Sequence, residues 1–326
     1  MAAPQLTNWP SLPADDPWFD TLETFHLWTQ VIGKLRLVNA VWINHSWSVP
    51  LYVAPRGLRT SLVPYAGDNP ARHGEAFELT FDLVDHRLEL TTSAGTHDGF
   101  DLEPMTVAEF YRRTMAMIAD AELPATINNT PNEIADAIDF PDDTTHQTYD
   151  RDRIHTLWQA LIQTDRVFTR FRADYWGKAS PVHFFWGSFD LAVTRFSGRT
   201  APPHPGGMPN FADDVAREAY SHEVTSCGFW PGNREAPPIF YAYAYPTPDG
   251  YAEATVKPAE AFWLAELGEF ALPYAAVAAA SDPDAMLLAF ADSAHVAAAD
   301  LLGWDRELLE CHAPFGANWW RTRPAG

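Results

Sequence analysis

The densest group of chemically reactive side chains lies between residues 183 and 227. Imidazole and carboxylate groups are the usual ligands of Zn and Fe(II), and they are also common general acids and bases. A divalent metal site, for Zn or Fe, would use four of them: His183, His204, His222 and Glu223. Acid–base or nucleophilic catalysis would use five: His183, His222, Glu223, Cys227 and Asp190. We therefore predict a histidine-rich pocket in this region.

Alternative interpretations of these residues stay open at this stage. No metal-ligand spacing such as HExxH is present, so the alternative is that His183 and His222 are hydrogen-bonded core or pocket histidines, with Glu223 on the surface or in an ion pair. Cys227, in SHEVTSCGFWPG, is either a nucleophile or a small buried apolar residue. If residues 183–191 form one strand, His183 and Asp190 point to opposite faces and do not meet.

Two further segments have both a ligand-binding and a structural interpretation. In FYAYAY (240–245), the alternation places Tyr241, Tyr243 and Tyr245 on one face of a strand. Such a face is suited to stacking an aromatic or sugar ligand, or to packing within the protein. The loop RTAPPHPGGMPN (199–210) either rims a pocket or connects two strands rigidly.

A faint repeat relates the two halves of the chain. GKLRLVNAVW (33–42) resembles GKASPVHFFW (177–186), and AEFY (108–111) resembles EAFW (260–263). Each Gly-Lys follows a long helical pattern, so we predict that helices end at Gly33 and Gly177. The following lysines would complement the negative helix termini by about 0.3–1 kcal/mol. A phosphate-binding role is disfavoured because neither pair belongs to GxxxxGK[ST].

The elements that position these residues indicate an α+β fold. We predict two tandem repeats, residues 1–146 and 147–326, each a helix followed by an antiparallel sheet and a second helix, packed pseudo-symmetrically. Apolar periodicity predicts the helices and strands. The helices are 16–34, 107–123, 154–178 and one starting at an Asp282-Pro283 cap; the clearest strands are a hairpin turning near Asp85, 221–229, 239–245 and about 267–275.

Composition restricts the classes of partner. The formal net charge of −21 over 326 residues argues against nucleic acid and against an anionic membrane surface, since both require a basic face. No basic, apolar leader and no run of about 18 apolar residues is present, and only two cysteines occur. We expect a cytoplasmic globular protein with a small-molecule ligand. Its oligomeric state is left open.

Several segments together resemble a known family. WINHSW, SPVHFFWGSFDLAVTRFSGR, PPHPGG, EAYSHEVTSCGFWPG and ELGEFALPY are similar to the bacterial domain of unknown function family 5996, over about residues 9–304. The resemblance implies a bacterial protein and brings no activity, cofactor or catalytic residue with it. From the residues alone, we expect an enzyme of hydrolase or lyase type acting on a small molecule. The alternative is a non-catalytic binding or scaffold protein with an aromatic-lined pocket.

Overall fold

A computed structural model describes residues 9–311, which combine helices with two separate antiparallel sheets. This architecture confirms the predicted α+β class. The helices are α1 (Asp16–Asn39), α2 (Val107–Asp120), α3 (Arg151–Ala173), α4 (Asp213–Ala219), α5 (Tyr274–Ala279), α6 (Pro283–Leu301) and α7 (Arg306–Leu309). None of the helices in this part of the chain is both long and apolar enough to cross a membrane.

The first sheet lies in the N-terminal half. Its strands are β1 (Tyr52–Ala54), β2 (Gly57–Arg59), β3 (Val63–Pro64), β4 (Ala76–Asp82), β5 (Arg87–Thr92) and β6 (His97–Asp101). They are ordered β1-β2-β4-β5-β6, with β3 also paired to β4. Asp82 pairs with Arg87, which confirms the predicted hairpin around Asp85.

The second sheet lies in the C-terminal half. Its strands are β7 (His183–Phe185), β8 (Asp190–Thr200), β9 (His222–Trp230), β10 (Ile239–Tyr245), β11 (Phe262–Leu264) and β12 (Glu269–Pro273). Their spatial order is β11-β12-β10-β9-β8-β7, so the three predicted strands are confirmed. One face packs against α3 and α6, where Thr225 of β9 bonds His295 of α6 at 2.7 Å. We call the opposite face the open face.

Local signals fixed the start of α6 as predicted. The side chain of Asp282 accepts a hydrogen bond from the backbone N–H of Ala285, and Pro283 occupies the first helical position, where a missing N–H costs nothing. Buried apolar side chains from both halves belong to one continuous core, from Trp18 and Phe81 to Phe240 and Phe290. The boundary at residue 146 stays a prediction.

The predicted helix end at Gly33 is wrong, because α1 continues to Asn39. Gly33 lies inside the helix, where an added Cβ would stand 2.2 Å from Nε1 of Trp186. That indole donates to the carbonyl of Val49 at 2.9 Å, so the glycine makes room for a buried tryptophan. Lys34 is consequently buried, and its Nζ donates to the carbonyl of Thr130 at 2.6 Å.

The matching segments of the two halves occupy different elements. Gly33 is helical, whereas Gly177 lies in the connection after α3, which ends at Ala173. AEFY lies in α2, whereas EAFW leads into β11. The α+β class therefore holds, while the tandem pseudo-symmetric repeat has no support from these segment pairs.

Candidate functional site

The open face of the second sheet carries tyrosines and carboxyl groups. Tyr241 pairs with Gly228 and Tyr243 with Ser226, which places the tyrosines of β10 on the side opposite α3 and α6, on one face as predicted. By the alternation of side chains along each strand, Asp190 and Thr194 of β8 and Glu269 of β12 share that face. The hydroxyls of Thr194 and Ser226 are hydrogen-bonded at 2.9 Å.

Tyr241 lies across the sheet over Gly228 and reaches Asp190. A Cβ at Gly228 would stand 2.1 Å from Cζ of Tyr241, so only glycine leaves space for the ring here. The Tyr241 hydroxyl donates to Oδ2 of Asp190, and Ser188 Oγ donates to Oδ1 at 2.6 Å. The carboxyl group of Asp190 is thus held by two hydroxyls although its side chain is buried.

The prediction that His183 and Asp190 point to opposite faces is wrong. Residues 186–189 form a turn, closed by a hydrogen bond from the backbone N–H of Phe189 to the carbonyl of Phe185. The chain therefore reverses, and the register pairs His183 with Ala192 and Phe185 with Asp190. His183 and Asp190 lie on the same face of neighbouring strands because Gly187-Ser188 permits a turn that strand periodicity does not reveal.

Glu133 is a site residue that the sequence did not indicate. It comes from the segment after α2 and has a left-handed backbone, with φ of 62°. Its backbone N–H donates to the carbonyl of Pro209 at 2.9 Å. A Cβ added at Gly187 would stand 2.1 Å from Oε1 of Glu133, so the glycine leaves space for this carboxyl. No local motif marks Glu133, since its neighbours at the site are more than 50 residues away in sequence.

Burial and mutual repulsion change the acidity of this cluster. Burial, together with the charge of Asp190, raises the pKa of Glu133 to about 7 and that of Glu269 to about 7. Burial also raises the pKa of Asp190, although the hydroxyls of Ser188 and Tyr241 oppose this. Within residues 9–311, none of the three carboxyls lies in an ion pair. They form an acidic group without a protein cation.

Tyrosines complete the walls of the site. The hydroxyls of Tyr220 and Tyr243 are hydrogen-bonded at 2.9 Å, and Tyr241 and Tyr243 stack with ring centroids 6.1 Å apart. Burial raises the pKa of Tyr220 and Tyr241 well above the usual range, so both stay protonated and able to donate. Each ring nevertheless keeps some solvent exposure. We call Glu133, Asp190, Tyr220, Tyr241, Tyr243 and Glu269 the tyrosine–carboxylate site.

The predicted histidines are not brought together. His183 is fully buried among Trp47, Tyr52 and Phe185, and burial lowers its pKa to about 3. His204 instead stacks on Tyr220, with centroids 4.6 Å apart, at the rim of the tyrosine–carboxylate site. His222 bonds the hydroxyl of Ser221 at 3.0 Å.

Glu223 and Cys227 have structural surroundings. Glu223 accepts hydrogen bonds from Arg199 at 2.7 Å and from the indole of Trp304 at 2.8 Å, as in the ion-pair alternative. Cys227 is buried beneath the sheet, and burial raises the pKa of its thiol, which disfavours the reactive thiolate. Within the described ranges, no three His, Cys, Asp or Glu side chains are placed to hold a metal ion, so the predicted metal set has no support.

Comparison with known proteins gives a single kind of match. Residues 9–311 match the model of a family described as "Family of unknown function (DUF5996)". No curated protein and no solved structure matches the chain.

Proposed function

The chain belongs to the DUF5996 family of unknown function, and we propose that it binds a small organic cation in the tyrosine–carboxylate site. The observation that carries this proposal is a set of three carboxyls without an ion pair in the described part of the chain, in which the charge of Asp190 acts on both Glu133 and Glu269. The repulsion that Asp190 exerts on the two glutamates is relieved when a cation enters. An amine or quaternary ammonium group has the required charge.

The tyrosines support an organic cation. The faces of Tyr rings attract ammonium groups by about 0.5–2 kcal/mol, depending on how far the group is desolvated. Tyr220 and Tyr243 are half-buried and paired through their hydroxyls, so their rings are fixed before a ligand arrives. Prearranged side chains lose little rotamer freedom on binding, which favours affinity. The segments that carry the family resemblance supply Asp190, Tyr220 and Glu269 to this site.

Binding of a cation should depend on pH in a defined direction. A cation prefers ionised carboxylates, whereas Glu133 and Glu269 have pKa values raised to about 7. Affinity should therefore rise between about pH 5.5 and pH 8, with release of protons on binding. A ligand recognised only by its apolar surface would lack this dependence.

The test uses putrescine as the cationic probe and 1,4-butanediol as a neutral molecule of similar length. Isothermal titration calorimetry at pH 8 should detect putrescine and not the diol. Glu133→Gln should weaken putrescine binding at least about tenfold, which corresponds to about 1.4 kcal/mol. Glu266→Gln removes an exposed carboxyl of the same half and serves as the matched control. Equal affinity for the diol, or equal loss in both variants, would refute the proposal.

A second candidate is an acid–base enzyme of hydrolase or lyase type. One observation favours it: the pKa values of about 7 at Glu133 and Glu269 suit proton transfer near neutral pH. Asp190, hydrogen-bonded to Tyr241 and Ser188, would orient the reacting groups. In this candidate function the acid and the base are carboxyl groups, in place of the predicted histidines.

Chromogenic ester, amide and glycoside substrates test this second candidate. Turnover by the protein should be lost in Glu133→Gln or Glu269→Gln and kept in Glu266→Gln. Turnover that survives both substitutions would exclude these carboxyls as the acid–base pair.

A further inference from the structure

A separate cationic feature lies at the far end of the open face. Lys178 is one of only three lysines in a chain with a net charge of −21. Its carbonyl accepts a hydrogen bond from the backbone N–H of Phe196 at 3.0 Å, so the two residues are cross-strand neighbours at the edge of β8. Phe196 follows Asp190 by six residues, which is about 20 Å along a strand. A small ligand therefore cannot contact both ends.

The ammonium group of Lys178 lies against two aromatic rings. Its Nζ lies 4.9 Å from the centroid of Trp47 and 4.9 Å from that of Phe196. In the described part of the chain it has no carboxylate within 4.0 Å, and its side chain is exposed. The nearby carboxylate of Glu218 instead accepts the backbone N–H of His45, at 2.9 and 2.8 Å. Lys178 is thus an exposed cation without a direct ion pair among the described residues.

His45 shares the same two aromatic rings and has an unused nitrogen. Its ring centroid lies 4.5 Å from that of Phe196 and 5.7 Å from that of Trp47. Nδ1 donates to the carbonyl of Ala219 at 2.9 Å, whereas Nε2 is buried and has no hydrogen-bond partner among residues 9–311. The backbone of His45 is left-handed, with φ of 62°, and such a conformation is held only when its surroundings require it. A buried imidazole nitrogen without a partner needs a ligand or water to satisfy it.

We propose that Lys178, His45 and Trp47 form a binding site for a small oxyanion, the carboxylate or phosphate group of a small molecule. The oxyanion would accept hydrogen bonds from the Lys178 ammonium. A water or a protonated oxygen held with it would donate to Nε2 of His45, which is the acceptor nitrogen because Nδ1 donates to Ala219. Trp47 would supply a half-buried apolar wall beside these donors. A nucleic acid phosphate is disfavoured by the acidic remainder of the molecule. The oxyanion and the amine proposed above are separate ligands, at sites that adjoin where Ala219, the partner of His45, precedes Tyr220.

The experiment follows the indole N–H signal of Trp47 by NMR in ¹⁵N-tryptophan-labelled protein, assigned with Trp47→Phe. Inorganic phosphate and acetate are the probes, titrated separately at constant ionic strength with chloride. We expect saturable shifts with a Kd of about 1 mM for at least one of them. Saturation by phosphate alone identifies a phosphate site, and saturation by acetate alone identifies a carboxylate site.

Matched variants decide whether Lys178 is responsible. Lys178→Met should weaken binding at least about tenfold, and Lys178→Arg should retain most of it. Lys257→Met removes the same charge from another exposed lysine and should leave binding unchanged. The proposal is overturned if neither anion shifts the Trp47 signal, or if Lys178→Met and Lys257→Met bind alike. Far-UV circular dichroism establishes that each variant is folded.

Discussion

Replacement of Gly228 by alanine should displace the ring of Tyr241 in the tyrosine–carboxylate site. In the interior of a strand, Gly→Ala alone is stabilising by about 0.5–1 kcal/mol, because alanine loses less backbone freedom on folding. At Gly228 the new Cβ would stand 2.1 to 2.5 Å from Cζ, the hydroxyl and Cε1 of Tyr241. The ring must therefore move, since real Cβ contacts are not this short.

Two costs oppose the gain from alanine. Overpacking of this kind costs about 1–3 kcal/mol, and displacement of Tyr241 removes its hydrogen bond to Asp190, a further loss of about 0.5–1.5 kcal/mol. We expect a net decrease of about 2 kcal/mol in the free energy of unfolding of Gly228→Ala. Putrescine binding should be lost as well, because the ring no longer lines the site.

A double-mutant cycle tests this reasoning. In a Tyr241→Leu background the clash is absent, so Gly228→Ala should be neutral or stabilising by up to about 1 kcal/mol. Urea unfolding followed by both fluorescence and circular dichroism supplies the four free energies, provided that the two signals coincide. An equal effect of Gly228→Ala in both backgrounds would refute the assignment of Tyr241 as the obstacle.

Three further predictions concern stability. Gly33→Ala should lower the free energy of unfolding, measured in urea, by about 2 kcal/mol. Alanine has the higher helix propensity, but its Cβ would clash with the buried indole of Trp186. A stabilised variant would contradict this. Burial raises the pKa of Glu133 from its ordinary value of 4.5 to about 7, so the folded state binds more protons between these pH values and loses stability as pH rises. Between pH 4.5 and pH 7.5, the free energy of unfolding measured in urea should fall less in Glu133→Gln than in Glu266→Gln. Asp284→Asn should cost about 1 kcal/mol, since it weakens the hydrogen bonds that the buried Asp284 carboxyl accepts from the half-exposed Arg166. A thermal midpoint equal to that of the unmodified protein would argue against this.

Local patterns in the sequence determined many of the elements. The alternation in FYAYAY placed Tyr241 and Tyr243 on one face, because side chains in a strand point to opposite sides in turn. Asp282-Pro283 fixed the start of α6, since the cap uses only groups within one helical turn. The hairpin around Asp85 was likewise a short-range feature. These properties depend on neighbours in sequence, so the amino-acid order alone was sufficient.

Close packing between distant segments decided the rest. Gly33 looked like a helix end, but its role is to admit the indole of Trp186, which comes from the other half of the chain. The spacing of apolar residues does not show which distant side chain packs against a glycine. In the same way, Gly187 makes room for Glu133, and the turn that contains Gly187 brings Asp190 to the face of His183.

The candidate site was therefore only partly predictable. The sequence identified Asp190 and the tyrosines of β10 as candidates, and it named the second half as the place to search. It also favoured His183, His204 and His222. In the structure these lie apart, in the buried core, against Tyr220 and at the start of β9, respectively. Residue type alone shows which chemistry a side chain is able to perform. The acidity of Glu133 depends on burial and on a neighbouring charge, and both arise only when the chain folds.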